Sequence, residues 1–312
     1  IVEQAAADLA QAAATAARAV DVTTIAYTGK LFEAGPVLLE PFATELPRLV
    51  PGLDLRSAQG DPLDGAARLA TGPLGAYEPL VDVHRRTPVV AGPALPFPRG
   101  SLIVSCQARP ENPLHGPEPM VLMARAALAG GAAGIRANGP ADIAAIRAAV
   151  DLPIIGIFKQ GSAAGVSITP TKQAASDVVA AGAEIVALDG TLRPRPDGES
   201  LADQIAHIHA LGALAMADVD SLDSGVAARA AGADIVASTL SGYTGGSVPP
   251  GPDLALIAAL ADALDCPIIA EGRYWTPSDV RAAFDLGAYA VVVGTAVTNP
   301  MAITRRLATA GP

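Results

Sequence analysis

The stretch Pro153-Ile154-Ile155-Gly156-Ile157-Phe158-Lys159 is an apolar run that closes on an amine. A strand buried on both faces reads as a continuous run of Val, Ile and Leu, so this run reads as a strand inside a parallel sheet with Lys159 at its mouth. Seven more runs follow the same pattern: 102–106, 133–136, 185–188, 214–217, 235–238, 268–270 and 291–294. They end on Gln107, Arg136, Asp189, Asp218, Thr239, Glu271 and Gly294. Alanine-rich segments with helical spacing lie between them, at 119–128, 141–150, 171–181, 203–211, 223–231, 253–264 and 277–286. Several of these stop at a glycine followed by alanine (Gly182-Ala183, Gly212-Ala213, Gly232-Ala233, Gly287-Ala288), as a left-handed helix end favours. Strand alternating with helix implies right-handed βα units. Eight units in about 210 residues predict an α/β chain of the (β/α)8 TIM-barrel class, whose chemistry sits at the C-terminal ends of the strands. The competing doubly wound open sheet lacks its signature, since no Gly-x-Gly-x-x-Gly follows a strand.

Composition narrows the functions. Of 312 residues, 51% are hydrophobic and 17% charged, enough for a large core. A net charge of −10 argues against nucleic acid or an anionic membrane surface as partner, while leaving room for an anionic small molecule held by local donors. No run reaches the ~18 apolar residues of a membrane span, and no secretory leader is visible, so a cytoplasmic protein is expected. Cys106 and Cys266 lie in separate strand contexts and read as half-buried free thiols. His207 and His209, two apart on one helix, point to different faces and make a poor metal pair, so no metal or cofactor is expected. Beginning at Ile1 in a helical pattern, the chain reads as a piece of something longer.

Three segments are expected: an N-terminal α/β part at 1–72, a connector at 73–98 carrying six prolines, and the barrel at 99–312. In the first, helices at 3–20 and 36–49 flank a strand at 24–27, an extended stretch covers 53–56, and Asp61-Pro62 opens a last helix. Tyr27-Thr28-Gly29-Lys30-Leu31-Phe32-Glu33-Ala34-Gly35, Leu39-Glu40-Pro41-Phe42 and Asp61-Pro62-Leu63-Asp64-Gly65-Ala66 resemble the closing portion of the sugar kinase, heat-shock and actin superfamily, of the N-acetylglucosamine kinase or BadF/BadG ATPase type. That resemblance implies a glycine turn approaching a nucleotide, although Lys30 stands where the second glycine is usual. The half of a kinase with phosphate loops and catalytic aspartate is missing, so kinase activity from this chain alone is not expected.

At the barrel mouth, Lys159 leaves a dry strand, and desolvation lowers a lysine pKa toward that of a working base. Glu271 closes another strand; an amine and a carboxylate facing across one pocket can remove a proton and return it. The alternative is a salt bridge that only ties the rim. Gln107, Arg136 and Asp218 offer the donors and acceptors that a sugar needs, or else fold-supporting ion pairs. Asp189 opens a loop with Arg193 and Arg195, an anion clamp or a solvated loop. Gly272-Arg273 and Gly294-Thr295 lie after strands seven and eight, where a barrel holds phosphate on backbone amides. Tyr243, in Ser241-Gly242-Tyr243-Thr244-Gly245-Gly246, reads as part of a mobile lid over the substrate.

Residues 100–310 resemble the N-acetylmannosamine-6-phosphate 2-epimerase family, through Ile103-Val104-Ser105-Cys106-Gln107, Pro153-Ile154-Ile155-Gly156-Ile157-Phe158-Lys159, Ile168-Thr169-Pro170, Ala187-Leu188-Asp189-Gly190-Thr191, Met216-Ala217-Asp218, Ser241-Gly242-Tyr243-Thr244, Ile269-Ala270-Glu271-Gly272-Arg273-Tyr274 and Val293-Gly294-Thr295-Ala296. The resemblance implies C2 epimerisation between N-acetylmannosamine 6-phosphate and N-acetylglucosamine 6-phosphate in amino-sugar (sialic acid) catabolism. It places the catalytic lysine and glutamate on Lys159 and Glu271, and sugar contacts on Gln107, Arg136 and Asp218. Two departures stand out: Asn299 where many members carry a phosphate-holding arginine, and Trp275 where a smaller polar residue is usual. Other phosphosugar barrel enzymes, a bifunctional kinase–epimerase with an upstream kinase half, and a non-catalytic sugar-phosphate sensor are the rival readings. A homodimer is left open.

Overall fold

The computed structural model describes residues 2–19, 22–27, 35–57, 94–162, 165–245 and 248–309. The chain divides into two compact units, Ile1–His84 and Arg85–Pro312. In the first, α1 (Val2–Ala19) and α2 (Pro36–Leu49) pack together, and β1 (Thr24–Tyr27) pairs in parallel with β2 (Asp54–Ser57). Ala6, Ala10, Ala14 and Ala17 recur at helical spacing on α1, and small side chains there admit Leu38, Phe42 and Leu46 from α2. The expected helix at Asp61-Pro62, the turn at 28–34 and most of the connector lie outside the described residues.

The second unit is a closed barrel of eight parallel strands, in the order β10-β3-β4-β5-β6-β7-β8-β9. The strands are β3 (Ser101–Cys106), β4 (Gly134–Asn138), β5 (Ile154–Ile157), β6 (Ile185–Asp189), β7 (Leu214–Asp218), β8 (Ile235–Ala237), β9 (Ile268–Glu271) and β10 (Ala290–Val293). The connecting helices are α3 (Pro117–Ala129), α4 (Pro140–Arg147), α5 (Lys172–Ala180), α6 (Leu201–Ala210), α7 (Leu222–Ala230), α8 (Leu254–Ala263) and α9 (Pro277–Asp285). A one-turn α10 (Thr295–Thr298) and α11 (Pro300–Ala308) follow the last strand.

Side chains alternate across a strand with period two, and both faces of these strands are dry. One apolar cluster fills the barrel with Ile103, Ile155, Ile157, Ile185, Met216 and Ile269. The other lies between strands and helices and takes the alternate residues, among them Val104, Ile135, Ile154, Val186 and Ile268. Counting on by two from the interior positions, Gln107, Lys159, Asp189, Asp218, Thr239, Glu271 and Gly294 all fall on the interior parity; Arg136, next to outward Ile135, does too. The eight run ends therefore share one mouth.

Gly156 takes the outward parity of β5, where a Cβ would stand 2.5 Å from Val178 Cγ1 and 2.7 Å from Ala183 Cβ. Helix α5 packs too close for any side chain, so Gly156→Ala is expected to lose about 1–3 kcal/mol in urea unfolding, as overpacked cores do. Phe97, expected in the connector, is 2% exposed and belongs to the barrel's inner cluster. Tyr289 Oη donates to its carbonyl at 3.1 Å, so the barrel's packing begins a few residues before 99. Cys106 and Cys266 are fully rather than half buried, and burial pushes their thiols up to about 12 and about 11.

Candidate active site

Arg136 is the centre of the mouth. It is 1% exposed, yet it carries a charge, which demands partners. Asp218 binds it through both oxygens, Nη1–Oδ1 at 3.0 Å and Nη2–Oδ2 at 2.5 Å, and Nη1 also reaches Glu271 Oε2 at 2.5 Å. Burial pulls the Arg136 pKa down, but Asp218 and then Glu271 outweigh it, so the guanidinium is held charged. The Nε of Arg136 is buried with no partner among the described residues. Thr239 joins the group, donating to Asp218 Oδ1 at 2.6 Å and lying 3.3 Å from Glu271 Oε2.

Glu271 is fixed twice. Its main chain exchanges two hydrogen bonds with the Ser238 hydroxyl, N–H to Oγ at 3.1 Å and Oγ to carbonyl at 2.9 Å. Its carboxylate is held at Oε2 alone; Oε1 has no partner among the described residues. Burial, reinforced by Asp218, pushes its pKa up to about 7 against the opposing pulls of Arg136, Lys159 and the Thr239 hydroxyl.

Lys159 faces this group from the other side. In a closed ring of eight, β5 and β9 are four strands apart in either direction, so the residues that follow them oppose each other across the mouth. The Lys159 main chain is held by Asn138 Oδ1 at 2.9 Å and by a bridge to Ile168. Its amine donates to Gln107 Oε1 at 2.9 Å, and Gln107 Nε2 donates to Ser105 Oγ at 2.8 Å. Lys159 makes no salt bridge with Glu271, which removes the rim-tie alternative. The residue is open to solvent at the mouth, but protein crowding round its ammonium and the nearby Arg136 charge lower its pKa, against Glu271 and Asp218. The ordinary values of 10.5 and 4.5 for this amine and this carboxyl thus move toward each other.

Other expected site residues have other partners. Asp189, 1% exposed, accepts from the Thr191 amide and hydroxyl and from Arg193 Nη2 at 2.6 Å, while Arg195 binds the Asp189 carbonyl. Its carboxylate braces its own loop, and both arginines are engaged there. Arg273, at φ +63, binds the carbonyls of Gly251 and Ser241 and stacks 5.3 Å over the Tyr243 ring. With Ser241 bonded to Asp253 and Thr244 to Asp220, the described part of the segment read as a mobile lid, 241–245, is held to the barrel at both of these residues. Gly272 turns at φ +111, and Gly294 lies against Ser105, where a Cβ would stand 3.2 Å from its Cβ. Gly294 and Thr295 open α10, the short extra helix after the eighth barrel strand. Asn299 accepts from the Ala302 amide as N-cap of α11 and meets Asn112, and Trp275 carries Arg306 4.3 Å over its ring. His207 and His209 bind separate partners, Ser176 and Asp234. Thr239, Ser238, Asn138 and Ser105 were assigned no role from sequence.

A carboxyl whose pKa is raised on folding has a definite stability signature. The native state binds the extra proton between the unfolded and folded pKa values, so stability falls as pH rises from about 4.5 to about 7 and stays lower above that. Glu271→Gln removes the ionisation: its thermal midpoint is expected to exceed that of the parent at pH 8, with the gap closing by about pH 4.

This geometry defines a (β/α)8 barrel enzyme with ionisable side chains gathered at the C-terminal mouth of its strands. Residues 120–311 match the NanE family, described as N-acetylmannosamine-6-phosphate epimerase. A Cutibacterium acnes protein named N-acetylmannosamine-6-phosphate 2-epimerase is 51% identical over 209 residues, 66% of this chain and 91% of that protein. A Clostridioides difficile protein of the same name is 44% identical over 210 residues, 67% of this chain and 94% of its own. The solved structure of the N-acetylmannosamine-6-phosphate 2-epimerase from Clostridium perfringens superposes with a TM-score of 0.67 at 44% identity, covering 69% of this chain and 95% of that one. The chain belongs to the NanE family. No described helix is long and apolar enough to cross a membrane.

Proposed function

We propose that the barrel interconverts N-acetylmannosamine 6-phosphate and N-acetylglucosamine 6-phosphate by exchanging the proton at C2 from one face of the sugar to the other. The observation that carries the reading is the opposed pair itself: Lys159 is shifted down, Glu271 is shifted up, and no salt bridge locks them together. Neutral Lys159 takes the C2 proton while protonated Glu271 delivers one to the opposite face. That leaves Lys159 charged and Glu271 ionised, which is the state the reverse reaction starts from. Converging proton affinities keep both states within reach, as catalysis in both directions needs. The carbonyl or amide beside C2 delocalises the charge.

Gln107 steadies the amine and offers its second contact to the sugar. Arg136, held charged, stabilises negative charge as it develops, and Asp218 keeps Arg136 in place. The phosphate is assigned to the amides at Gly272 and at Gly294-Thr295, the position where barrels hold phosphate. Arg273 contributes by fixing the segment around Tyr243. The kinase-like reading of residues 1–72, and with it a kinase–epimerase in one polypeptide, rests on the sequence resemblance alone. An upstream ATP-binding half in the parent reading frame is the finding that decides it. The epimerase reading is tested by incubating the protein with N-acetylmannosamine 6-phosphate in deuterated water and following C2 by NMR. Appearance of the second epimer labelled at C2 is expected; unchanged substrate refutes the reading.

A further inference from the structure

We propose that Thr239 is a positioning residue for proton transfer at Glu271, its hydroxyl holding one carboxylate oxygen so that the other faces the exchanging carbon. The inference rests on the C2 epimerisation proposed above and deepens it. Two carboxylates, Asp218 and Glu271, share one guanidinium and one hydroxyl. The Thr239 oxygen lies 3.5 Å from Arg136 Nη1, 2.6 Å from Asp218 Oδ1 and 3.3 Å from Glu271 Oε2. A hydroxyl has a single hydrogen, and the shorter distance assigns it to Asp218 in this state. Once Glu271 has delivered its proton to C2, it is an anion beside the same hydroxyl. Rotation about the Thr239 Cβ–Oγ1 bond then turns the hydrogen from Asp218 to Glu271 Oε2, and no covalent bond changes. Asp218 gives up little, because both of its oxygens stay bound to Arg136.

The two neighbouring hydroxyls therefore divide the work. Ser238, on the outward parity, clamps the main chain of Glu271, and Thr239, on the inward parity, touches only its carboxylate. Removing the Thr239 hydroxyl leaves the strand end in place and frees the carboxylate to turn. It also takes a donor from the ionised carboxylate, which favours the protonated form and raises its pKa.

The test compares the parent chain with Thr239→Val, Thr239→Ala and Thr239→Ser, measuring kcat, KM, the pH dependence of kcat and C2 deuteration. Valine is expected to lower kcat about 10- to 100-fold, the range of one hydrogen bond to a charged group. KM should stay within about twofold, since the loss falls on the transition state. The limb of the pH profile that Glu271 sets should move to higher pH, and serine should return both kcat and the limb. Alanine repeats the valine result should valine perturb the fold. A kcat within about twofold of the parent in both hydroxyl-free variants, a loss confined to KM, an unmoved Glu271 limb, or a serine variant as impaired as valine each overturns the proposal. A parent chain that leaves C2 unlabelled brings down the epimerase reading itself, which is a separate result.

Discussion

Lys159→Ala is expected to lower epimerisation and C2 deuteration together by about 10²- to 10⁴-fold, the contribution of a positioned proton-transfer group. Its fold is expected to survive. The bonds that shape this strand end belong to the main chain: Lys159 N–H to Asn138 Oδ1 and the bridge to Ile168. Thr169, at φ +46, closes the same turn by donating to the Ala187 carbonyl at 2.6 Å, and none of these bonds uses the amine. Among the described residues the amine itself bonds to Gln107 alone, so truncation should move stability by about 0.5 kcal/mol or less, as at other exposed sites. Lys159→Arg should be equally inactive, because a guanidinium stays charged and cannot act as the base. Circular dichroism and thermal melting check the fold while NMR in deuterated water checks the exchange. Retained C2 labelling in either variant removes Lys159 from the base position and leaves Glu271 without its counterpart.

The barrel was legible because its strands are dry on both faces. Each became an unbroken apolar run, and eight runs with helical segments between them left little choice of topology. The site was legible at the same points, because a charge at the end of a dry strand needs an explanation. Charge, however, says nothing about partners. Asp189 and Asp218 close neighbouring strands with the same residue, yet Asp189 is occupied by Thr191 and Arg193 from its own loop, and Asp218 by Arg136 from across the barrel. Arg273 looked available for an anion, but a positive-φ turn directs its guanidinium to the Ser241 and Gly251 carbonyls. Thr239 ended a run like the others and drew no role, because one hydroxyl carries neither charge nor motif. Asn299 had a readable signal of a different kind: Asn followed by Pro300 is an N-cap before a first-turn proline, the place it takes in α11.

The depth of the Arg136 pair gives the second large effect, on stability. Asp218 is 0% exposed and Arg136 1%, so neither charge has water to return to if its partner is lost. Asp218→Ala leaves a buried guanidinium with Glu271 as its one carboxylate partner and a long contact to the Thr239 hydroxyl, both through Nη1, and it strips that hydroxyl of its nearer acceptor. Breaking a buried pair on one side costs about 3–5 kcal/mol. For a unit of this size, about 2–4 °C per kcal/mol puts the fall in thermal midpoint at roughly 6–20 °C. The double variant Arg136→Met/Asp218→Leu removes both charges and should recover most of that loss, since apolar residues of similar volume often replace a buried pair at little or no cost. It should not recover turnover, because Glu271 then has no guanidinium on Oε2 and the mouth has lost its fixed positive charge. Differential scanning calorimetry of the two variants beside the C2 exchange assay separates the effects. A single variant as stable as the parent would mean that the buried Arg136 does not depend on Asp218 for its charge; a double variant that still turns over would mean that Arg136 is not needed for the chemistry.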